Sequence, residues 1–377
     1  SGVQELPLYS DNFCRAVMHN HISTALIIHN FNHLCKNKPV EFMLRQATVA
    51  LIVLILFSNL SNGQFRKDKL ITPTLKLSYQ WQPQSDFEFV DNTWQYSTLG
   101  LNYLQPLITN MTKSGKAGSF GYRALMLSTG IEYSYPIIND LDVQHKLIDA
   151  GFGLSFIWYG GGRSVFTGAG FANIFEDNKS IKDSPQLRYS GFLNWHFKIW
   201  DWFGTNIGAA YTYKFGYARI VPLFGGNFNF DKFSMRISLP LIVQAGYAVS
   251  KRTSVFIKTM PDGAVNNFYN DGYEFPGQPE IIQLRQRKLL LGLGVDVFAT
   301  RHMHLTPEIG SMSKQVLAFS DAPIDDPTNF YDEKIMSTVY LKLTAKFVFG
   351  EPAQWGKGHA TNYLLDKNIE DALQFNQ

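Results

Sequence analysis

From about residue 71 onward the chain alternates apolar and polar residues at period two through most of its length. The clearest stretch is STVYLKLTAKFVF, which ends at Phe349. Val339, Leu341, Leu343, Ala345, Phe347 and Phe349 fall on one face, and Thr338, Tyr340, Lys342, Thr344 and Lys346 on the other. Successive residues of a strand point to opposite sides, so this segment is a strand between two unlike solvents. Repeated along the chain, the pattern reads most simply as lipid outside and water inside.

The predicted strands are long: 71–82, 94–105, 121–135, 147–159, 186–200, 203–216, 219–230, 281–299 and 336–349, with shorter ones at 164–175, 233–240, 242–250, 252–260 and 303–312. Crossing a hydrocarbon layer at a tilt takes about 9–11 residues, whereas soluble strands peak near about five or six. Tight polar turns at 230–233, 249–254 and 300–304 suit hairpins, and the Asn-, Asp-, Gly- and Pro-rich segments 160–185, 261–280 and 313–335 read as external loops. Trp81, Trp94, Trp158, Trp200 and Trp202 stand near strand ends, where a barrel carries its interface aromatics. The expected fold class is therefore all-β: an antiparallel up-and-down transmembrane β-barrel of about 12 strands, with about 14 as the alternative count. The count is open because 83–93 and 106–120 both read as long connections, which breaks the alternation of long and short. A soluble β-sandwich with a large aromatic core is the rival architecture.

The start of the chain reads differently. Arg45 flanks the apolar run Ala47–Phe57, and the small, polar SNLSNG follows before Gln64. A charged start, an apolar core and small residues before a cut form a secretory signal. The run is too short to span a bilayer as a helix, which needs about 20 residues. The expected organisation is a non-native or mistakenly included extension at 1–42, a signal peptide at 43–63 cleaved near Gly63/Gln64, a barrel at 64–350 and a periplasmic tail at 351–377. Within the tail, Leu364, Leu365, Ile369, Leu373 and Phe375 lie at near-helical spacing, which predicts a short periplasmic helix over 362–375. Localisation in a Gram-negative outer membrane follows from signal and strands together.

Composition narrows the chemistry. Both cysteines, Cys14 and Cys35, precede the signal, which leaves no cysteine-based zinc site, redox pair or nucleophile beyond it. A net charge of +3 gives no reason to expect a nucleic-acid partner. His302 and His304 share a strand face but sit at a turn and read as solvated rather than metal-bound. His196 reads as a partner in an interior hydrogen bond. Ser190 and His196 have the parity of a hydrolase pair, yet six residues separate them by about 20 Å along a strand. Asp321, the IDDP segment at 324–327 and Asp332 fit no cation-loop spacing. No catalytic residue, metal site or cofactor is expected. The lumen is the expected functional surface, with Arg236, Lys258, Asp296, Lys342 and Lys346 as its charged positions. A carboxylate such as Asp296 facing lipid would be costly, so it is expected to turn inward toward Arg236, Lys258 or Lys342.

The segment PLFGGNFNFDKFSMRISLPL, with Pro222, Phe224, Gly225 and Gly226 followed by Leu239 and Pro240, resembles an uncharacterised outer-membrane β-barrel family of Bacteroidota. The resemblance covers roughly 70–350 and brings no established activity with it. A weaker similarity is to the PorP/SprF-like barrels associated with type IX secretion, whose Asn-Pro-rich opening this chain lacks. The expected function is non-enzymatic: a small passive channel or structural membrane protein, with outer-membrane lipid and the barrel-assembly machinery as partners. The alternative is a scaffold for a secretion or surface-assembly complex that meets a periplasmic partner through 351–377. An outer-membrane lipid hydrolase is the remote third reading.

Overall fold

The structure, a computed structural model, describes residues 72–113, 120–138, 146–159, 163–183, 185–200, 202–250, 252–270, 277–300, 302–321 and 329–349. The elements of its first half are β1 (Thr74–Asp86), β2 (Thr93–Lys113), β3 (Phe120–Ile138), β4 (Leu147–Tyr159), β5 (Ser164–Asp177), the helical turn α1 (Ser180–Asp183), β6 (Leu187–Lys198) and β7 (Phe203–Thr212). There follow β8 (Arg219–Phe230), β9 (Phe233–Leu239), β10 (Ile242–Ala248), β11 (Thr253–Tyr269), β12 (Ile281–Phe298), β13 (Met303–Ser320), β14 (Asn329–Ile335) and β15 (Thr338–Val348). The expected helix over 362–375 and the segments 1–42, 43–63 and 351–377 lie outside the described residues.

Each strand from β1 to β13 pairs antiparallel with the next, and β15 pairs with both β13 and β1. β14 also pairs with β13, just beyond β15. Met336 and Ser337 interrupt what is one strand, opposite Ser313 and the left-handed Lys314 (φ 50°). The sheet therefore closes on itself with 14 strands, not 12. The expected strand segments already number 14; it was their lengths, and so the lengths of the connections, that interior polar residues disguised. β2 continues past a bulge at Pro106–Ile108 to Lys113, so only 114–119 connect it to β3. β5 fills much of the expected loop 160–185, β11 runs on to Tyr269, and β13 with β14 takes up most of 313–335. Strands are normally poor in Asn, Asp, Gly and Pro, but a barrel wall tolerates them where the side chain faces a polar interior. Most short turns lie at the end that holds Thr74 and Val348 and most longer connections lie opposite, the two-residue β9–β10 turn being an exception.

Alternation sorts the two faces. Leu154, Leu193, Ile207, Ile257, Leu293, Ile309 and Leu343 point outward and are about half exposed or more, a band no soluble monomer shows. Aromatics flank the band on both sides. Trp158, Trp195, Trp200 and Trp202 stand toward the terminal end, and Trp81, Tyr133, Tyr135, Tyr189 and Tyr211 toward the other. Trp200 and Trp202 stack with centroids 5.3 Å apart. Trp94 departs from the expected girdle. It is 2% exposed and stacks on Tyr96 inside the barrel. Its position at a strand end suggested an interface, but its parity with Tyr96 and Thr98 turns it inward. With Phe87, Ile138, Leu147, Phe268, Ile282, Leu284, Leu317, Phe319 and Ile335 it forms an apolar cluster that fills the interior at the end opposite the termini.

A cation introduced on the outer face near mid-height should cost about 2–4 kcal/mol, and far less on the inner face. Leu343→Arg is therefore expected to lower the urea midpoint for folding into lipid vesicles sharply, while Thr344→Arg, one residue on and facing inward, should move it little. Equal effects would contradict the assignment of faces.

Candidate functional site

A cavity of about 1170 Å³ runs up the barrel interior. It begins among the turn residues Asp231, Lys232, Val249 and Ser250 at the terminal end and reaches Tyr96, Asp149 and Lys214 toward the other. Its charged side chains come from inward positions on facing strands. Lys258 Nζ on β11 lies 2.8 Å from Glu308 Oε2 on β13, two strands away. Tyr340 on β15 donates its hydroxyl to the other oxygen of the same carboxylate. Lys342 stands directly opposite Glu308 in the β13–β15 register. Higher up, Lys288 on β12 meets Asp262 on β11 at 3.3 Å. Glu132 and Asp149 face each other across β3 and β4 in the same region.

Glycines make this packing fit. Gly310 sits opposite Tyr340 in the register, and Gly292 opposite Gly310. A Cβ at Gly292 would lie 2.5 Å from Glu308 Oε1, and one at Gly310 2.5 Å from Tyr340 Cε1. The absence of both lets the tyrosine ring lie flat on the wall and present its hydroxyl to the carboxylate. Tyr340 is itself fully buried, between Leu290 and Met312.

Near the end opposite the termini, β11 bends inward while it stays paired with β12 as far as Tyr269↔Ile281. A wall strand exposes alternate residues, yet Val265, Asn266, Asn267 and Phe268 are all buried, so both faces of β11 are covered there. Its free edge reaches β5, six places around the ring, and bridges it at Asn267 and Glu176. Polar side chains from the opposite wall hold it. Arg188 on β6, 1% exposed, donates to the Val265 carbonyl and, at 2.6 Å, to Asn267 Oδ1. Asn267 Nδ2 donates to Glu176 Oε1 at 2.8 Å, and Asn266 Nδ2 donates to Asp149. Asp177 Oδ2 accepts from the Tyr269 N–H at 2.9 Å, while its other oxygen holds the first N–H groups of α1. Asn266 shares a face of β11 with Phe268 of the apolar cluster, Val265 and Asn267 share the other, and among the described residues network and cluster together fill that end of the barrel.

All five charged positions expected in the lumen, Arg236, Lys258, Asp296, Lys342 and Lys346, line the cavity. Lys258 pairs with Glu308, and Asp296 accepts a hydrogen bond from Thr306 Oγ1 at 2.5 Å. Glu308 was legible from its parity with His304 and Thr306. Asp262 was not, because it stood in the segment 261–280 that read as a loop, and Lys214 stood in the expected strand 203–216 but lies in the turn beyond β7. Of the expected girdle tryptophans, Trp158, Trp200 and Trp202 are exposed and Trp81 half-buried, but Trp94 is inside. His304 lines the cavity mouth and His302 stays at the turn, 3.2 Å from the Val348 carbonyl oxygen. His196 turns inward, but its Nδ1 has no hydrogen-bond partner among the described residues. Ser190 accepts from Asn173 at 3.0 Å rather than meeting a histidine. Among the described residues no group of three His, Cys, Asp or Glu side chains could hold a metal ion.

The chain matches no protein-family model and no curated protein. Among solved structures it is similar to an outer membrane channel from Pseudomonas putida F1, at 10% identity and a TM-score of 0.34, over 74% of this chain and 96% of that one. It is also similar to the Pseudomonas putida toluene transporter TodX, at 10% identity and a TM-score of 0.29, over 76% and 91%. The translocator domain of autotransporter NalP from Neisseria meningitidis matches at 10% identity and a TM-score of 0.29, over 83% and 100%. At these values the likeness carries no argument, and the closed barrel rests on its own strand register.

Proposed function

We propose that this chain is a non-enzymatic barrel of a Gram-negative outer membrane that conducts small polar solutes through a charged lumen. The observation that carries this reading is the cavity. It is lined by charges of both signs and reaches the terminal-end turns, but it stops beneath β11. With both termini at the periplasmic end, as an even strand count allows, the lumen faces the periplasm and β11 forms a latch at the cell-surface mouth. The latch is local, held by polar contacts of Arg188, Asn266 and Asn267 and by Phe268 in the apolar cluster, so it can release while β11 keeps its β12 partner. The paired charges below it suit a path that neither sign of ion enters freely.

Two outcomes follow for planar-bilayer recordings. The wild-type barrel should open rarely, whereas Arg188→Ala combined with Asn266→Ala should raise the mean conductance severalfold. Silence in both would favour a scaffold role over a channel. Glu308→Gln should leave Lys258 and Lys342 without their carboxylate and shift the reversal potential in a KCl gradient toward anion selectivity. Loss of one member of a buried pair costs up to about 3–5 kcal/mol, so retained heat-modifiable migration on gels must accompany that measurement. An unchanged reversal potential in a folded variant would remove Glu308 from the conduction path.

A further inference from the structure

β9 and β10 are much shorter than the strands beside them, and the wall is incomplete above their turn. The β8–β9 register ends at Phe224↔Leu239, and the β10–β11 register at Val243↔Thr259. Above those pairs, Arg219–Leu223 of β8 and Met260 onward of β11 have no strand on that side. The interruption lies at lipid depth. Phe233 and Tyr247 stand level with Trp202 at the terminal-end girdle, and the turn at Pro240 is only about 15–20 Å above them, within an apolar band about 25 Å tall. An open sheet edge there would present unsatisfied N–H groups to hydrocarbon, each costing several kcal/mol.

Both edges carry a proline where covering stops. Asn229 N–H points to β7, bonded to the Trp202 carbonyl, so by alternation Pro222 faces the side that β9 has vacated. The Arg252 carbonyl points to β12, so Pro261 faces the side that β10 has vacated. Each is the first edge-facing residue beyond the last strand pair, and neither has an N–H to leave unpaired. Higher on the β11 edge other groups take over. The Lys214 carbonyl abuts Gly263, Arg188 takes the Val265 carbonyl, and Asn267 bridges β5. The β7–β8 turn forms the upper border, with Arg285 Nε bonded to the Gly216 carbonyl at 2.8 Å. Behind the opening lies an apolar patch, in which Val221, Leu223, Phe192 and Phe215 pack around Leu241 from the hairpin tip.

From this perimeter we propose that the interval between β8 and β11 is a lateral portal, closed from within by Leu241 and Phe215, through which a single-chain amphiphile passes between the bilayer and the cavity. This rests on the membrane reading above. The vacancy left by two strands is about 10–14 Å wide at strand spacing and is narrowed further by the β7–β8 turn, which suits one extended chain rather than a diacyl lipid. The apolar patch receives the chain, and the polar cavity below receives the head group.

The test uses the full chain with Cys14→Ser and Cys35→Ser, reconstituted in vesicles that contain a phospholipid with a maleimide on its acyl chain. Three thiols are compared: Leu241→Cys at the portal, Leu291→Cys on the lipid face and Met312→Cys, which is buried inside the wall away from the portal. Labelling follows thiol access, so the Leu241→Cys variant should react within about tenfold of Leu291→Cys, and Met312→Cys far more slowly. Dodecanol added to the bilayer should slow Leu241→Cys labelling without slowing that of Leu291→Cys. Labelling of Leu241→Cys no faster than of Met312→Cys overturns the portal, and indifference to dodecanol overturns its occupant. An unreactive Leu291→Cys sinks the membrane reading, and the portal with it.

Discussion

Hydrocarbon offers backbone amides no partner, and the rest of this structure depends on that. Every N–H and C=O in the wall must find its bond within the sheet, so the sheet has to close. Closure sets the strand pairing, and pairing at period two turns one row of side chains to lipid and the next to the interior. Where closure fails, above the β9–β10 turn, substitutes stand at successive edge positions: Pro222 and Pro261 remove donors, the Arg188 guanidinium takes an acceptor, and a single β5 bridge takes Asn267. The inward bend of β11, which keeps its β12 partner, is a consequence of the short hairpin. A strand that loses its neighbour on one side has to find another across the lumen.

The interior then has to be filled. A barrel of this girth is too wide for aliphatic side chains to fill, so the lumen divides by height. Charge pairs occupy the middle, where Lys258 and Glu308 lie among polar neighbours with Tyr340 completing the carboxylate's shell. Apolar rings gather at the closed end around Trp94, Phe268 and Phe319. Glycines at 292 and 310 are the counterpart of the tyrosine they accommodate. Lys258, Glu308, Lys288 and Asp262 are tolerable in such an interior because each lies against an opposite sign.

The faces of β15 were legible because parity is a local property: Tyr340, Lys342, Thr344 and Lys346 line the interior in the order that their alternation dictates. The same rule placed Arg236, Lys258 and Asp296 inside. Their partners were not legible. Lys258 meets Glu308 some fifty residues later in the chain, through two strand registers, and no local pattern encodes a register. Strand ends were misjudged for a related reason. Pro261, Asp262, Gly263, Asn266 and Asn267 have the composition of a loop, and only their contacts with Arg188, Asp149 and Glu176 make an extended strand of them.

By itself the sequence determined that the chain forms long two-faced strands and which residues share a face, because the alternation of Cβ directions is fixed by covalent geometry. The tertiary structure alone decided that 14 strands close the ring, that Trp94 packs inside rather than at the interface, and that the free edge of β11 reaches β5. Those outcomes turn on register and on the shortness of one hairpin relative to the thickness of its surroundings. Each is a competition between distant segments for the same backbone partners, and only the folded ring settles it.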